Sequence, residues 1–379
     1  MGNTPPLLVG IIADDLTSAT DGAAPFLAKG HAPLILHDTG GFEPRAVVAI
    51  DTNSRALPLA TAKTATTAAV TALAEARLLF KTIDSTLRGH ARGEIAAAFR
   101  VSRRSRLVIA PAFPEAGRLT IGGIQQVYGV PVSDSAYGRD TGHPARTSRI
   151  ADLVDPALGE AVVLSPDGTD LTAPVLILDA DSQSALNRQV QRIPDPEAAL
   201  WVGSPGLAIA LAALVSGTSK GQRPAEARPR RVLIVAGSAN PVAHAQCDAL
   251  LAQGVPVVTA LAKAPGDAPV VCLRAPLQRQ DAGVVLDQLV TQASAALARH
   301  EHDAVIATGG ETMAAILDRL GIRRFTLIAE LEPGFPVGRV ERLDGPPLTI
   351  AMKAGGFGTP ATLLNAARAL LGDADHERP

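Results

Sequence analysis

Short aliphatic runs alternate with longer alanine-rich stretches along the first half of the chain. The runs predict β-strands and the stretches predict α-helices. The predicted strands cover residues 7–12, 46–50, 77–81, 107–110 and 175–178. The predicted helices cover residues 18–29, 59–75, 92–99, 182–192 and 204–215, the last with Ser204 as its N-cap and Pro205 as its first residue. This alternation is typical of a parallel sheet with helices on both faces.

A polar segment at residues 217–231 interrupts the alternation. It contains two prolines and no periodic apolar pattern, which is typical of a linker between domains. After it the alternation resumes, with predicted strands at residues 232–236, 270–273, 304–307, 326–328 and 348–352. We therefore expect two α/β domains with mostly parallel sheets flanked by helices, over residues 1–218 and 231–379, joined by a linker at 219–230. A length of 379 residues agrees with two domains.

Composition narrows the class of protein. The chain is 47% hydrophobic but only 3% aromatic, so aliphatic side chains and alanine must fill the cores, as they do where helices cover parallel sheets. A net charge of −2 gives no electrostatic reason to expect a nucleic acid or an acidic membrane as partner. No signal-peptide pattern and no long apolar run occurs, so we expect a cytoplasmic protein. Cys247 and Cys272 lie far apart in sequence and predict neither a disulfide framework nor a metal site.

Three predicted strands of the second half end in loops that are rich in glycine, serine and threonine and that open a helix. These loops contain Ser238, Gly309, Gly310, Glu311, Thr312 and Gly355. Such loops offer unpaired backbone N–H groups and the positive end of a helix dipole, and glycine lets a ligand approach the backbone closely. One loop alone is usually a plain turn. Three at one edge of a sheet predict a site for phosphates.

Polar and charged residues follow four predicted strands of the first half. They are Asp14 and Asp15, Arg55, the segment from Lys81 through Asp84, Ser85, Thr86 and Leu87 to Arg88, and residues 111–118. Arginine binds carboxylates in a bidentate manner and aspartate accepts hydrogen bonds from hydroxyl groups. The set therefore predicts a site for a small polyhydroxylated acid. The alternative is that Asp14 and Asp84 only cap helices and that the arginines are solvated.

One half suited to phosphates and one suited to a hydroxy acid together indicate phosphoryl transfer, with the active site in the cleft between the domains. This reaction needs positioning, Mg²⁺ and often a carboxylate that takes the hydroxyl proton. Asp15 and Asp84 are both candidates for that base, and the sequence does not choose between them. Lys81 or Arg88 could neutralise charge on the transferred group. No residues are predicted as metal ligands.

Neither familiar ATP-binding motif occurs, because the chain has no Gly-x-x-x-x-Gly-Lys-Ser/Thr loop and no protein-kinase signature. Residues 356–361 match a loose dinucleotide-binding pattern, G-x-G-x-x-A. No second strand follows to complete the βαβ unit that this pattern requires, so we set the match aside.

The motifs taken together resemble those of the four-carbon acid sugar kinases. The resemblance rests on residues 13–17 (A-D-D-L-T), 52–55 (T-N-S-R), 81–89 (K-T-I-D-S-T-L-R-G), 111–118 (P-A-F-P-E-A-G-R), 201–204, 237–238, 309–312 and 353–358, in the same order as in that family. It implies ATP-dependent phosphorylation of the C4 hydroxyl of D-threonate, D-erythronate or 3-oxo-tetronate. The form D-S-T-L-R-G is closer to the threonate and erythronate members. Ser18 and Gly356 depart from the family pattern, which often has glycine and asparagine there.

The resemblance also implies residue roles. The acid would bind to Asp15, Arg55 and the loop from Lys81 to Arg88, and ATP would bind to Ser238, residues 309–312 and Gly355. Two other functions remain open. A magnesium-dependent phosphatase could use the Asp14–Asp15 pair, although phosphatases of the haloacid dehalogenase type separate their two aspartates by one residue. A non-catalytic sugar-acid sensor would not need the nucleotide-type loops. The sequence is also compatible with a homo-oligomer.

Overall fold

The structure, a computed structural model, describes residues 6–43, 45–140, 143–217, 228–238, 240–276, 278, 280–343 and 345–372. The chain divides into two compact units, Met1–Ser219 and Lys220–Pro379. Most of the predicted linker, residues 219–227, lies outside the described residues. Both units combine parallel strands with helices, so the predicted α/β class is confirmed. Among the described helices, none is long and apolar enough to span a bilayer.

The first unit is built on a sheet of parallel strands. Its described strands are β1 (Val9–Ala13), β2 (Leu34–Leu36), β3 (Val47–Asp51), β4 (Leu78–Thr82), β5 (Arg106–Ala110), β6 (Arg118–Ile121), β7 (Ile124–Val127), β8 (Val130–Pro131), β9 (Ala161–Leu164), β10 (Val175–Leu178) and β11 (Ala199–Gly203). The main sheet has the order β2-β3-β1-β4-β11-β5-β10-β9, and every pairing within it is parallel. Strands β6, β7 and β8 form a separate antiparallel sheet.

Helices cover both faces of this main sheet. They are α1 (Leu16–Ala23), α2 (Leu59–Ala72), α3 (Ala91–Ser102), α4 (Gln183–Arg192) and α5 (Pro205–Ala212). Helices α2 and α3 pack against each other on the face that carries Ile12 and Leu79. Helix α1 lies on the opposite face, where Gly22 contacts Ile11 and Phe80, and it packs against α5. Strand residues that alternate between two buried faces explain the continuous aliphatic runs of the sequence.

Two helices differ from the prediction, one in its end and one in the bonding of its N-cap residue. Helix α1 ends at Ala23 and continues as a 3₁₀ turn, Ala24–Lys29, because Pro25 has no N–H group to donate within an α-helix. Ser204 occupies the predicted N-cap position of α5, but its hydroxyl group donates instead to the carbonyl of Ala112 (3.1 Å). That bond ties the start of α5 to the loop after β5.

The second unit has a mixed sheet. Its described strands are β12 (Val232–Ala236), β13 (Val257–Val258), β14 (Val270–Arg274), β15 (Ala304–Thr308), β16 (Arg324–Glu330), β17 (Pro336–Val340) and β18 (Leu348–Lys353). The order is β13-β14-β12-β15-β18-β17-β16; the first five strands are parallel, and β17 runs antiparallel to both neighbours. The helices are α6 (Pro241–Ala252), α7 (Ala282–Ala298), α8 (Gly310–Arg319) and α9 (Thr362–Leu371).

Helices α6 and α9 pack together over one face of this sheet, and α7 packs against α8. Cys247 on α6 and Cys272 on β14, which are distant in sequence, meet in this core with their Sγ atoms 3.9 Å apart. Both are buried free thiols.

Candidate active site

The charged residues of the first unit gather where the chain leaves β1, β3 and β4. These strands are neighbours in the order β3-β1-β4 and run in parallel, so their carboxyl ends meet at one edge. The loop after β1 leads to α1 on one face of the sheet, whereas the loop after β4 leads to α3 on the other. Loops that part in this way leave a crevice, which is where ligands bind in open α/β sheets.

Arg55 joins the two adjacent aspartates of this crevice. Its Nε and Nη2 atoms donate to the two carboxylate oxygens of Asp14 at 2.8 and 3.0 Å, and its Nη1 atom pairs with Asp15. Nη2 also donates to the hydroxyl of Ser18 at 3.1 Å. The Asp14 side chain is almost completely buried, while 27% of the Asp15 side chain remains exposed. One guanidinium group therefore holds a buried carboxylate and an accessible one.

The same environment moves the two carboxyl pKa values in opposite directions. Burial alone would raise the pKa of Asp14, but the charges of Arg55 and Lys81 outweigh it and lower that pKa to about 2. Burial, together with repulsion from Asp14, raises the pKa of Asp15 even though Arg55 opposes the change. Neighbouring groups whose pKa values separate in this way are typical of sites that assign different roles to two carboxylates.

Asp15, and not Asp14, caps a helix. Its Oδ1 atom accepts a hydrogen bond from the backbone N–H of Ser18 at 2.7 Å, which fixes the start of α1. The alternative that Asp14 acts only as a helix cap is therefore wrong, because both of its oxygens bind Arg55.

Asp84 is held within its own loop. Its carboxylate accepts from the Thr86 hydroxyl at 2.7 Å and from Arg88 Nε. Burial would raise the pKa of Asp84, but Arg88 and Arg55 keep it below its usual range. Leu87 adopts a left-handed conformation (φ 58°), and this sharp turn directs Arg88 back toward Asp84.

Arg88 extends from this turn toward the short helical segment at residues 136–139. Its guanidinium carbon lies 5.3 Å from the centre of the Tyr137 ring, a cation–π arrangement. Its Nη1 atom lies 3.6 Å from an Asp140 carboxylate oxygen. Because 28% of the Arg88 side chain is exposed, this guanidinium group is accessible to an anionic ligand.

Lys81 lies beneath the edge rather than on it. Its side chain is fully buried, and its Nζ atom pairs with Glu94 on α3 at 2.9 Å and donates to the carbonyl of Thr82 at 2.7 Å. The other oxygen of Glu94 accepts from the Ser54 hydroxyl at 2.6 Å. Lys81 therefore supports the loops after β3 and β4 from below, and a direct contact with the acid remains a prediction.

Two residues of this framework were not singled out from the sequence. Glu94 could have been found, because it is a glutamate on the buried face of α3 among alanine and isoleucine side chains. Gln125, on β7, gave no signal. Its side-chain N–H groups donate to the carbonyls of Ser85 (2.7 Å) and Pro111 (3.1 Å), so it ties the Asp84 loop to the loop after β5.

In the second unit the predicted phosphate loops also lie side by side, because β12, β15 and β18 are neighbours. Gly355 packs so closely against Ser238 that a Cβ atom on Gly355 would lie 2.1 Å from the Ser238 hydroxyl oxygen. Gly309 adopts a positive φ of 101°, which glycine tolerates best, and it precedes α8, which begins at Gly310. Thr312, in the first turn of α8, packs against Gly237.

Each of these loops opens toward a helix N-terminus. Helix α6 begins after Asn240, whose side chain accepts from the N–H of Val242 at 2.9 Å, and α8 begins directly after Gly309 without a side-chain cap. Uncapped N–H groups at a helix start bind anions. Glu311 lies in that same first turn, where its charge would repel a phosphate unless it points away or meets a cation.

Comparison with known proteins agrees with this division into two units. Residues 9–211 match the family model of a sugar-binding N-terminal domain, and residues 257–363 match that of a nucleotide-binding C-terminal domain. A solved structure from Salmonella typhimurium LT2 superimposes with a TM-score of 0.79 at 22% identity, covering 96% of this chain and 100% of that one. At that identity the superposition supports the fold alone.

Curated relatives extend over nearly the whole chain. A D-threonate kinase from Bordetella bronchiseptica is 32% identical and the match covers 96% of this chain and 97% of the relative. A D-threonate kinase from Cupriavidus necator is also 32% identical, with 95% and 97% covered. A 3-oxo-tetronate kinase from Cupriavidus necator is 31% identical over 76% of this chain and 58% of the relative.

Proposed function

Because this chain belongs to the four-carbon acid sugar kinase family, we propose that it transfers the terminal phosphoryl group of ATP to the C4 hydroxyl of a four-carbon sugar acid, with D-threonate as the first candidate. The preference for D-threonate is supported by the full-length relatives that carry that name and by the D-S-T-L-R-G form of residues 84–89. D-Erythronate and 3-oxo-tetronate are the competing substrates.

The acid binds at the crevice of the first unit in this proposal. Arg55 is already neutralised by two carboxylates, so it is poorly suited to a third. Arg88 is more exposed and binds Asp84 through Nε, while its second carboxylate neighbour, Asp140, lies farther away, 3.6 Å from Nη1. We therefore assign the carboxylate of the acid to the outer nitrogens of Arg88, which leaves the hydroxyl groups for the aspartates.

The observation that supports catalysis best is the opposite movement of the pKa values of Asp14 and Asp15. Asp14, with its pKa lowered, remains a charged anchor for Arg55. Asp15, with its pKa raised and its side chain partly exposed, is the stronger base and remains accessible to a ligand. Asp15 therefore takes the proton of the C4 hydroxyl as that oxygen attacks phosphorus, while Asp84 orients Arg88.

ATP binds to the second unit in this proposal, with its phosphates at Ser238, Gly309–Gly310 and Gly355. Among the described residues no three His, Cys, Asp or Glu side chains form a ready metal site. Mg²⁺ commonly takes most of its ligands from phosphates and water, so these residues fit a cation that arrives with the nucleotide as MgATP. The bound cation would offset charge on the phosphates during transfer.

A coupled assay of ADP release tests the proposal. The protein is incubated with MgATP and, separately, D-threonate, D-erythronate and 3-oxo-tetronate. We expect acid-dependent ADP release with the highest kcat/KM for D-threonate, and a product that carries phosphate at C4. A higher kcat/KM for another acid would overturn the substrate assignment, and no acid-dependent release with any of the three would overturn the proposed reaction.

A further inference from the structure

Lys353, the last residue of β18, lies under the loop that follows it. It is only 2% exposed, and its Nζ atom donates to the carbonyl oxygens of Ala354 at 3.0 Å and Phe357 at 2.9 Å. The backbone of residues 354–357 therefore folds around this amino group. A neutral amine has two N–H donors and an ammonium group has three, so the two carbonyls are satisfied in either state.

A second buried side chain holds the same loop without a charge. Gln246, on α6, is fully buried, and its Nε2 atom donates to the carbonyls of Phe357 at 3.0 Å and Thr359 at 2.9 Å. The loop is thus fixed by one ionisable donor and one neutral donor. Since Gly355 in this loop packs directly against Ser238, any shift of the loop alters the proposed phosphate site.

The surroundings of Lys353 do not neutralise its charge. Among the residues that the structure describes, no carboxylate forms an ion pair with its Nζ atom. The ionisable groups that influence it are the Cys247 thiol on α6 and Glu332 in the connection between β16 and β17, and Cys247 is in turn influenced by Cys272, Arg274 and Asp248. Burial outweighs these groups and lowers the pKa of Lys353 to about 8.

We propose that Lys353 is a positioning residue whose amino group holds its proton more tightly when a nucleotide binds, so that in mildly alkaline solution binding restores the positive charge beneath the phosphates. The inference rests on the proposed nucleotide site of the second unit. A polyanion close to a buried amine favours the charged form strongly, because the interior screens little. In the free protein, loss of the proton removes part of the cost of a buried unpaired cation. In the complex, the ammonium group attracts the phosphates, and this attraction fixes the loop.

Linkage gives the direction of the effect. Lys353 has a lowered pKa in the free protein and a higher one in the complex, so binding takes up a proton. Nucleotide affinity is therefore highest well below pH 8 and falls as the pH rises through and above that value, by up to tenfold per pH unit. The phosphates of ADP are fully ionised throughout this range and contribute no such trend.

Calorimetric titration with MgADP, without acid, tests the proposal. For the unaltered protein we expect Kd to rise roughly tenfold between about pH 8 and pH 9.5, and an uptake of about half a proton per ADP near pH 8, measured in buffers of different ionisation enthalpy.

Lys353→Arg carries a permanent charge and should show no uptake and a nearly constant Kd. Gln246→Leu should bind ADP more weakly at every pH but keep the slope. Cys247→Ala should keep the slope and move its onset to lower pH, because the thiol raises the pKa of Lys353.

Binding of ADP with no proton uptake and a flat pH profile would overturn the inference while leaving the nucleotide site intact. A slope that disappears in Cys247→Ala would reassign the titrating group to the thiol, which also overturns it. If Lys353→Arg fails to fold, the proton uptake of the unaltered protein decides alone. An absence of ADP binding at every pH would overturn the proposed nucleotide site and this inference with it.

Discussion

Replacement of Asp15 by asparagine separates its chemistry from its structural role. In the structure Asp15 accepts a hydrogen bond from the N–H of Ser18 and pairs with Arg55. Asparagine is as good an N-cap as aspartate, since its side-chain oxygen can accept the same bond. Arg55 keeps its two hydrogen bonds to Asp14. We therefore expect Asp15→Asn to fold normally and to lose only the basic carboxylate.

The size of the expected loss follows from the role assigned to Asp15. A positioned general base contributes about 10²- to 10⁴-fold to the rate, so kcat should fall by about that factor, whereas the fold is retained because Arg55 keeps its hydrogen bonds to Asp14. Because the pKa of Asp15 is raised above its ordinary value of 3.8, the unaltered enzyme should lose activity as the pH falls through that raised value. Asp14, with a pKa near 2, does not titrate in the same range.

The measurement is kcat against pH for both proteins, with urea unfolding to check stability. Asp281→Asn is the matched control, because Asp281 is likewise an N-cap aspartate, accepts from the N–H of Val284 at 3.0 Å and lies at the start of α7 in the second unit. The control should retain full activity. A kcat for Asp15→Asn within threefold of the unaltered value, with the acid limb still present, would refute the assignment of Asp15 as the base.

Three further substitutions test the framework of the site. Asp14→Asn should lower the free energy of unfolding at neutral pH by about 2 kcal/mol, and since the pKa of Asp14 is lowered from 3.8 to about 2, this contribution disappears as the pH falls from about 4 to 2. Glu94→Gln leaves the buried Lys81 without its carboxylate partner and should cost about 3 kcal/mol or more in urea unfolding. Gly355→Ala should weaken ADP binding at least tenfold in titration calorimetry, because the new methyl group would displace the serine hydroxyl 2.1 Å away.

The outcomes that would contradict these expectations are specific. An equal loss of stability in acid and at neutral pH in Asp14→Asn would contradict the lowered pKa of Asp14. Glu94→Gln with unchanged stability would mean that the buried lysine has another counter-charge. For the glycine, the control is Gly266→Ala in the same unit, where an added Cβ atom meets no neighbour within 4 Å. Equal ADP affinity in the two glycine variants would remove the 354–357 loop from the nucleotide site.

Most of the parallel strands could be predicted because each is a compact aliphatic run buried on both faces. The strands Val175–Leu178 and Val232–Ala236 have the predicted bounds, and the other predicted strands differ by one or two residues at one or both ends. Strands β6, β7 and β8 were missed, since they are two to four residues long and their side chains alternate between buried and exposed. Strand β11 was missed because its apolar run leads directly into the predicted α5.

The sequence predicted which residues lie at the candidate site but not which hydrogen bonds and ion pairs join them. Strand-end loops in a parallel sheet converge whatever their sequence, so the nearness of Asp14, Arg55 and Asp84 followed from topology. Which aspartate caps α1, and which carries the arginine, depends on side-chain directions at one turn that no periodicity encodes. One feature of the sequence indicated that Lys81 points inward. Glu94, thirteen residues later, places a charge on the apolar face of α3, where it needs a buried partner.

The buried pair of Lys81 and Glu94 has a consequence for redesign of acid preference. Ser54, Lys81 and Glu94 come from three separate segments, yet they share one hydrogen-bonded unit that excludes water. Exchange of one of these segments for one that lacks its member of the unit would leave a charge without its partner in the interior. Chimeras should therefore transplant residues 52–55, 81–89 and the start of α3 together, as one block.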